Sequence, residues 1–435
     1  MTIGIRREDK NIWERRTPII PEDVNDLIKN LGIKVLVQSS KIRIFDDKEY
    51  ESAGAVITED LSPAEIIFGV KEIPPEKILP DKTYVFFAHV IKGQKHNMPM
   101  LKKLMDLKCN LIDYERIVDE QGRRLIFFGK YAGYAGLMET FHALRKKLNL
   151  MGIENPFSLI KQPYQYSSIE EAKSALYAIG DLIQKNGLPE QLLPLTIGIA
   201  GYGNVSRGVQ EFFDILPHIE ITPEELLNKF ESLKNEKHKL IKIVFKEEDT
   251  VKRKEGNFNL QEYFTKPENY ESKFEVYLPK LKVLLNCIFW TEKYPRLVTK
   301  KFLIENPDIS KSLLVIGDIS CDIDGAIEIT YKATQPDIPC FTFNPYTNEF
   351  HDDVQKDGIV VMAVDNLPCE FSKEASSEFS KVLKNFIPQI LSNHFDKDFS
   401  ELNLPYPIKK AIILHKGNLT EEYKYIEKYL EGEKK

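Results

Sequence analysis

No apolar run in this sequence approaches the roughly 18 residues that a membrane-crossing helix needs. The first residues place Arg6, Arg7, Glu8 and Asp9 where a secretory signal would carry an apolar core, so no membrane partner and a cytoplasmic location are expected. Positive charge is not in excess: 60 Lys and Arg stand against 66 Asp and Glu, a net charge of −6 that offers nucleic acid no basic footprint. Cysteine is sparse. Cys109, Cys287, Cys321, Cys340 and Cys369 are scattered without ligand spacing, read as structural thiols, and predict no metal site. Internal repeats and low-complexity segments are missing too. What is left, 42% hydrophobic and 29% charged residues over 435 positions, is the composition of an ordinary soluble protein with core enough for two or three domains.

The most informative stretch is Leu195 to Asp214. Leu195 to Ala200 is an apolar run of strand length, and after Gly203 the residues Val205, Val209, Phe212, Phe213 and Leu216 recur at helical spacing. Gly201 and Gly203 between them allow a tight turn and let a pyrophosphate approach bare backbone, with Tyr202, Asn204 and Val205 around the helix start. Ser206 takes the third glycine position of the G-x-G-x-x-G pattern. Strand, turn and helix come in the order a dinucleotide site requires.

The rest of the chain alternates β and α. Ile3 to Ile5 reads as strand, and a helix starts at Pro21 with Glu22 and Asp23 in its first turn and stops at Gly32. Strands follow at Lys34 to Gln38, Ala55 to Thr58, Glu65 to Val70, Thr83 to Ala88 and Asn110 to Tyr114, with helical pieces at Asp47 to Ala53 and Met98 to Leu107. This alternation predicts a parallel sheet. Lys71 and His89 stand just past two of these strands, where ligands of parallel α/β sheets bind. Arg123 and Arg124 follow a turn and read either as a solvated pair or as a fork for carboxylate or phosphate. Tyr131 to Gly136, Tyr-Ala-Gly-Tyr-Ala-Gly, precedes a predicted helix and implies close backbone packing or a hinge. Ser168 and Glu171 predict a capping box for a helix ending at Gly187. Glu224 to Lys254, crowded with charge, reads as a solvated insertion with a short strand near Ile241 to Phe245. Further strands are expected at Val283 to Ile288, Leu313 to Ile319 and Gly358 to Val364, then one long amphipathic helix through Phe379 and Ile390, and an exposed helix after Gly417.

Glu14 to Pro18 (Glu-Arg-Arg-Thr-Pro), Gly69 to Glu72 (Gly-Val-Lys-Glu), Phe87 to His89, Gln121 to Arg124, the Tyr-Ala-Gly run, Gly203 to Gly208, Asn286 to Trp290, Asp318 to Asp322 and Asp365 to Pro368 resemble lysine-forming saccharopine dehydrogenase. The closest resemblance is to the lysine–ketoglutarate reductase half of bifunctional aminoadipic semialdehyde synthase. It runs to Tyr423–Ile426, and the second dehydrogenase half is not part of these 435 residues. The resemblance implies an α/β fold of two Rossmann-like domains with parallel sheets and an interdomain cleft, as in alanine dehydrogenase and transhydrogenase. Residues 1–130, completed by 366–435, would form the substrate domain, and 131–365 the NAD(P)-binding domain. It implies reversible condensation of L-lysine and 2-oxoglutarate to saccharopine, with Lys71 and His89 as acid–base pair and Arg16, Gln94, Arg124 and Phe128 at the substrate. Arg123, Gly201, Tyr202, Gly203, Asn204, Val205, Glu220, Asn286, Cys287, Asp318, Ile319 and Ser320 would serve the cofactor.

Whether that cofactor is NADH or NADPH stays open. Glu220 has the spacing of about 20 residues from the first glycine that suits a ribose-binding carboxylate. Glu224 and Glu225 are close to it, and a slip of one residue would leave Thr222 at the strand end. Two rival readings remain, an alanine dehydrogenase-like enzyme and a non-catalytic NAD(P)-binding regulator, and a homo-oligomer is compatible with either.

Overall fold

The computed structural model describes residues 1–393 and 395–430. The chain forms two compact units, Met1–Phe128 with Ser372–Lys435, and Gly129–Phe371. The second is therefore inserted into the first. No described helix is long and apolar enough to cross a membrane.

In the first unit, strands β1 (Thr2–Ile5), β2 (Lys34–Gln38), β3 (Val56–Thr58), β4 (Ile66–Phe68), β5 (Thr83–Phe86) and β6 (Asn110–Asp113) are parallel. Helices α1 (Pro21–Leu31), α2 (Asp47–Ser52) and α3 (Met98–Asp106) connect them. The order across the sheet is β6-β5-β4-β1-β2-β3, and a C-terminal hairpin, Ile412–His415 with Asn418–Leu419, extends it antiparallel beside β6. Because β1 lies between β2 and β4, the winding reverses there. That is where such sheets open a crevice. Pro21 at the start of α1 needs no N–H partner, and Gly32 ends the helix at a φ of +61°.

The C-terminal return is fastened to the start of the chain. Thr17 and Ile20 donate backbone N–H bonds to the hydroxyls of Ser376 and Ser380, each at 3.0 Å, and Lys384 pairs with Asp23 at 2.5 Å. Instead of one long helix, the return forms two, Ser372–Leu383 and Ile387–Leu391. Pro388 has no N–H for a continuous ladder, so the chain turns and restarts with proline in its first turn. The tail differs too: after Asn418–Leu419 it makes a 3-10 helix, Glu421–Ile426, that buries Tyr423 and Ile426, and only Glu427–Leu430 is α-helical. Residues 431–435 lie outside the described part.

The second unit holds β7 (Thr196–Ala200), β8 (His218–Ile221), β9 (Leu240–Phe245), β10 (Val251–Arg253), β11 (Tyr270–Ser272), β12 (Val283–Asn286), β13 (Val315–Asp318), β14 (Cys340–Asn344), β15 (Glu349–Asp352) and β16 (Ile359–Met362). Its helices include α4 (Gly129–Leu150), α5 (Ile169–Asn186), α6 (Asn204–Phe213), α7 (Pro223–Leu233) and the short α8 (Glu247–Thr250). The main sheet runs β15-β14-β16-β13-β12-β7-β9-β8, parallel from β16 to β8 and antiparallel at β14 and β15; β10 and β11 pair separately.

Three local expectations change. The Tyr-Ala-Gly run does not precede a helix but lies inside α4, where a Cβ at Gly133 would stand 2.1 Å from the Val205 carbonyl oxygen of α6. Gly133 serves helix-to-helix approach, and Gly136 makes room for the Ile319 side chain. Ser168 caps α5 by accepting the Glu171 N–H at 3.2 Å, but the Glu171 carboxylate turns to the N–H and hydroxyl of Ser167, so the box is half formed. Glu224 to Lys254 is not a solvated insertion, since it supplies α7 and β9, the strand next to β7. Lys242 in the middle of β9 is buried, which charge patterning disguises, and its ammonium meets Asp214 at 2.8 Å and Glu220 at 3.1 Å.

Candidate active site

Lys71 and His89 follow neighbouring strands, β4 and β5, at their carboxyl ends. Glu8, two residues beyond Arg6 at the end of β1, spans the switch point: its carboxylate accepts the backbone N–H of Val70 at 2.8 Å and of Lys71 at 2.9 Å. Burial pushes Glu8 up to about 7 against the pull of Arg6. Burial also lowers the Lys71 ammonium, helped by Arg16 and Lys10, while Glu14 and Glu72 pull the other way. A lysine held this way loses its proton more readily than a surface one.

The imidazole of His89 meets Glu72 at 2.5 Å through Nδ1 and stacks on Phe87, centroids 6.0 Å apart. Glu72 is brought down to about 2: burial works against this, but the hydrogen bond and charge of His89, with Lys10 and Lys71, outweigh it. His89 itself has a φ of +48°, a left-handed backbone that costs free energy for a residue with a Cβ. The Asn97 side-chain amide donates a hydrogen bond to the His89 carbonyl at 3.1 Å. Below, Asp113 accepts the Ala88 N–H at 3.3 Å and is pushed up to about 7 by burial and by Glu115.

Of the other expected substrate residues, Arg16 and Phe128 join this cluster. The Arg16 guanidinium is buried, lies 4.2 Å over the Phe128 ring and forks onto Glu14 through bonds of 2.8 and 2.6 Å. Phe128 stacks on Phe379 of the C-terminal return at 4.6 Å, and Phe87 touches both rings. Gln94 lies on the loop after His89, accepting the Lys92 N–H at 3.2 Å. Arg124 is half exposed and contacts Glu115; Arg123 is exposed and pairs with Asp119 at 2.7 Å.

In the second unit the switch point falls between β7 and β12, and both expected loops meet there. Gly201 has a φ of +97°, and a Cβ on it would come 3.1 Å from Ile288 and 3.3 Å from the Cys287 carbonyl. A Cβ on Gly203 would meet nothing within 4 Å, and no side chain caps the N-terminus of α6, where Asn204 and Val205 begin the helix. Open backbone beside free helical N–H groups fits a pyrophosphate. Tyr202 is exposed, and its hydroxyl reaches Glu247 at 3.4 Å.

Asn286 donates to Asp318 at 2.8 Å, Thr330 donates to the same carboxyl at 2.6 Å, and burial raises Asp318 to about 6 despite them. The N–H groups of Ile319 and Ser320 bond the Asn286 carbonyl at 3.1 and 3.2 Å, and Ser320 donates its hydroxyl to Ile288. Cys287 is buried and its thiol is raised by that burial. Glu220 is not brought to the turn. It sits on the outermost strand, level with Lys242 and through it with Ile197, four residues short of Gly201, and is tied to Lys242.

Glu8, Glu72, Asp113 and Phe379 escaped the sequence reading. Glu8 stood in a charged run that hid its place one turn past the central strand, whereas Glu72 was inside a quoted motif.

The fold is that of the alanine dehydrogenase and transhydrogenase class. Residues 4–135 match the family described as alanine dehydrogenase/PNT, N-terminal domain. A solved L-alanine dehydrogenase matches with a TM-score of 0.62 at 16% identity, over 99% of both chains. In sequence the chain is similar to alpha-aminoadipic semialdehyde synthase of Arabidopsis thaliana, 38% identical over 98% of this chain and 41% of that protein. It is also 29% identical to saccharopine dehydrogenase [NAD(+), L-lysine-forming] of Neurospora crassa, over 90% of each. The chain thus spans less than half the length of the synthase it matches.

Proposed function

We propose that this chain catalyses the reversible, nicotinamide-dependent condensation of L-lysine and 2-oxoglutarate to saccharopine. The observation that carries the reading is the partly buried Lys71 at the β1/β4 switch point, its ammonium pKa lowered by desolvation and by Arg16, beside a His89 bonded to Glu72. A nicotinamide dinucleotide, its pyrophosphate held by the Gly201–Gly203 turn and the start of α6, would supply or accept the hydride.

In the oxidative direction a neutral Lys71 takes the proton from the secondary amine of saccharopine, and His89 serves the proton transfers of water addition and carbinolamine breakdown. The two groups share Glu72 as a neighbour. Saccharopine carries three carboxylates. Arg124, half exposed, offers a bidentate fork to one of them, with Gln94 and Phe128 completing the contact surface. Arg16, its fork already on Glu14, acts chiefly by the field that helps lower the pKa of the Lys71 ammonium. Arg123, Asn286, Cys287, Asp318, Ile319 and Ser320 belong to the cofactor side of the same reading. All five cysteines are free thiols, which suits a reducing compartment such as the cytoplasm.

The test follows nicotinamide absorbance with lysine and 2-oxoglutarate together and singly, and with pyruvate plus ammonia. Oxidation that needs both organic substrates is the expected result. Oxidation with pyruvate and ammonia alone would instead mean an alanine dehydrogenase-like enzyme. Dinucleotide binding without any turnover would mean a regulator.

A further inference from the structure

The loop that follows β5 is covered by the segment Glu421–Leu430, more than 300 positions later in the chain. Gly93 closes a turn in this loop by donating its N–H to the Val90 carbonyl at 3.0 Å, and the Lys92 N–H is donated to Gln94 Oε1 at 3.2 Å. With Oε1 so engaged, the NH2 end of the Gln94 amide is the part left to donate to a carboxylate. Gly93 is constrained twice. Its φ of +70° suits glycine, and a Cβ there would stand 2.5 to 2.6 Å from three carbons of the Tyr429 ring. On the other side of the turn, the Tyr425 hydroxyl donates to the Ile91 carbonyl at 2.8 Å. Two tyrosines four residues apart thus lie on one short turn. The segment that carries them is anchored independently. Ile426 is buried in the core of the first unit, and Glu422 pairs with Lys410 at 2.6 Å. The Tyr423 hydroxyl accepts from Arg116 and donates to the Lys410 carbonyl, each at 2.8 Å.

We propose that Tyr425 and Tyr429 are positioning residues that set the Gln94 amide for a carboxylate of saccharopine. This rests on the proposed reaction and on Gln94 lining its substrate site. Glycine takes either sign of φ with little penalty, so an uncovered Gly93 would let the next residue, Gln94, swing. The Tyr429 ring blocks that rotation from one side, and the Tyr425 bond holds Ile91, two residues past His89, from the other. Both tyrosines stay largely exposed, at 46% and 38%, so they add little to the core. Their loss therefore loosens the loop while leaving the stability of the unit nearly intact.

Steady-state kinetics of the full chain with saccharopine and oxidised nicotinamide dinucleotide, run beside trypsin cleavage at the exposed Lys92 and Lys95, test the inference. Tyr425→Phe and Tyr429→Ala are each expected to raise KM for saccharopine about three- to tenfold, with kcat within about twofold of the parent and Tm within about 2 °C. Tyr429→Phe, which keeps the ring, is expected to restore the parent KM. Gln94→Ala should raise KM and absorb both effects, so that adding either tyrosine variant to it changes nothing further. Cleavage at the two lysines should be faster in Tyr425→Phe and Tyr429→Ala. An unchanged KM in these folded variants would overturn the inference whatever the Tm, and so would equal cleavage rates or KM effects that add to that of Gln94→Ala. Folded parent that does not oxidise saccharopine would overturn the reaction and this inference together, whereas an active parent matched by its tyrosine variants overturns only the inference.

Discussion

The proposed role of Lys71 as a base rests on three things about one side chain: it is partly buried, it has cationic neighbours, and its backbone N–H is pinned by Glu8. Lys71→Met preserves most of the apolar stem and removes the amine. Turnover is expected to fall by about 10²- to 10⁴-fold, with saccharopine binding and the unfolding midpoint close to those of the parent; turnover near the parent level would remove Lys71 from the mechanism. Much of this residue-scale picture was legible beforehand. Lys71 and His89 each end an apolar run, and in a parallel sheet the end of a strand is an address. Glu8 was not legible because its role depends on β1 lying beside β4, a neighbour 63 positions away in the chain, which only topology supplies. Glu220 misled because residue counting assumes that the next strand in sequence is the next strand in space, and here it is not.

At the scale of elements, the contact of α4 with α6 depends on missing side chains. Gly133 faces the Val205 carbonyl, and Gly208 faces the Lys130 carbonyl, where a Cβ would stand 2.2 Å away. This is backbone against backbone, with no flexible side chain to yield. Gly133→Ala is expected to destabilise the protein by about 1–3 kcal/mol or more, read from the denaturant midpoint at constant m. Gly203→Ala supplies the contrast, since its Cβ enters open space at an ordinary φ of −76°. Its stability should stay within about 0.5 kcal/mol of the parent while dinucleotide binding weakens; strong binding by that variant would show that no phosphate approaches there. The strands β1 to β7, β9, β12, β13 and β16 and the helices α1, α2, α3, α5 and α6 were readable to within about two residues because apolar period and end signals coincide, whereas β8, β10, β11, β14, β15 and the C-terminal hairpin went unread. The failures have separate causes: glycines looked like a breaker where they were a contact, Lys242 made a buried strand look solvated, and the period through Phe379 to Ile390 continued across a proline that the ladder could not.

At the scale of the whole molecule, buried carboxyls make stability depend on pH. Glu139 and Glu370 are both buried in the second unit, and Glu370 is pushed well above the ordinary carboxyl range by burial and by Glu139 beside it. A raised native pKa means that, above the unfolded value, the unfolded chain releases a proton which the native protein keeps. Stability from this group is full at acid pH and falls by about 1.4 kcal/mol per pH unit as pH rises from roughly 4.5 toward the native pKa. Glu8 and Asp113, both near 7, add slope of the same sign, and Glu72, near 2, opposes it only at the acid end. Glu370→Gln should therefore gain stability relative to the parent between pH 5 and 8, measured by urea unfolding at several pH values; parallel curves would refute the assignment. The nesting of one unit inside the other has a different kind of consequence, one of time. The residues that clasp Thr17, Ile20 and Asp23 are Ser376, Ser380 and Lys384, more than 350 positions later. At synthesis rates of about 5–20 residues per second, the first 128 residues wait on the order of ten to fifty seconds for their partners. Throughout that interval β6 is an unpaired sheet edge, so the nascent protein is most open to wrong partners while its inserted half is already being finished.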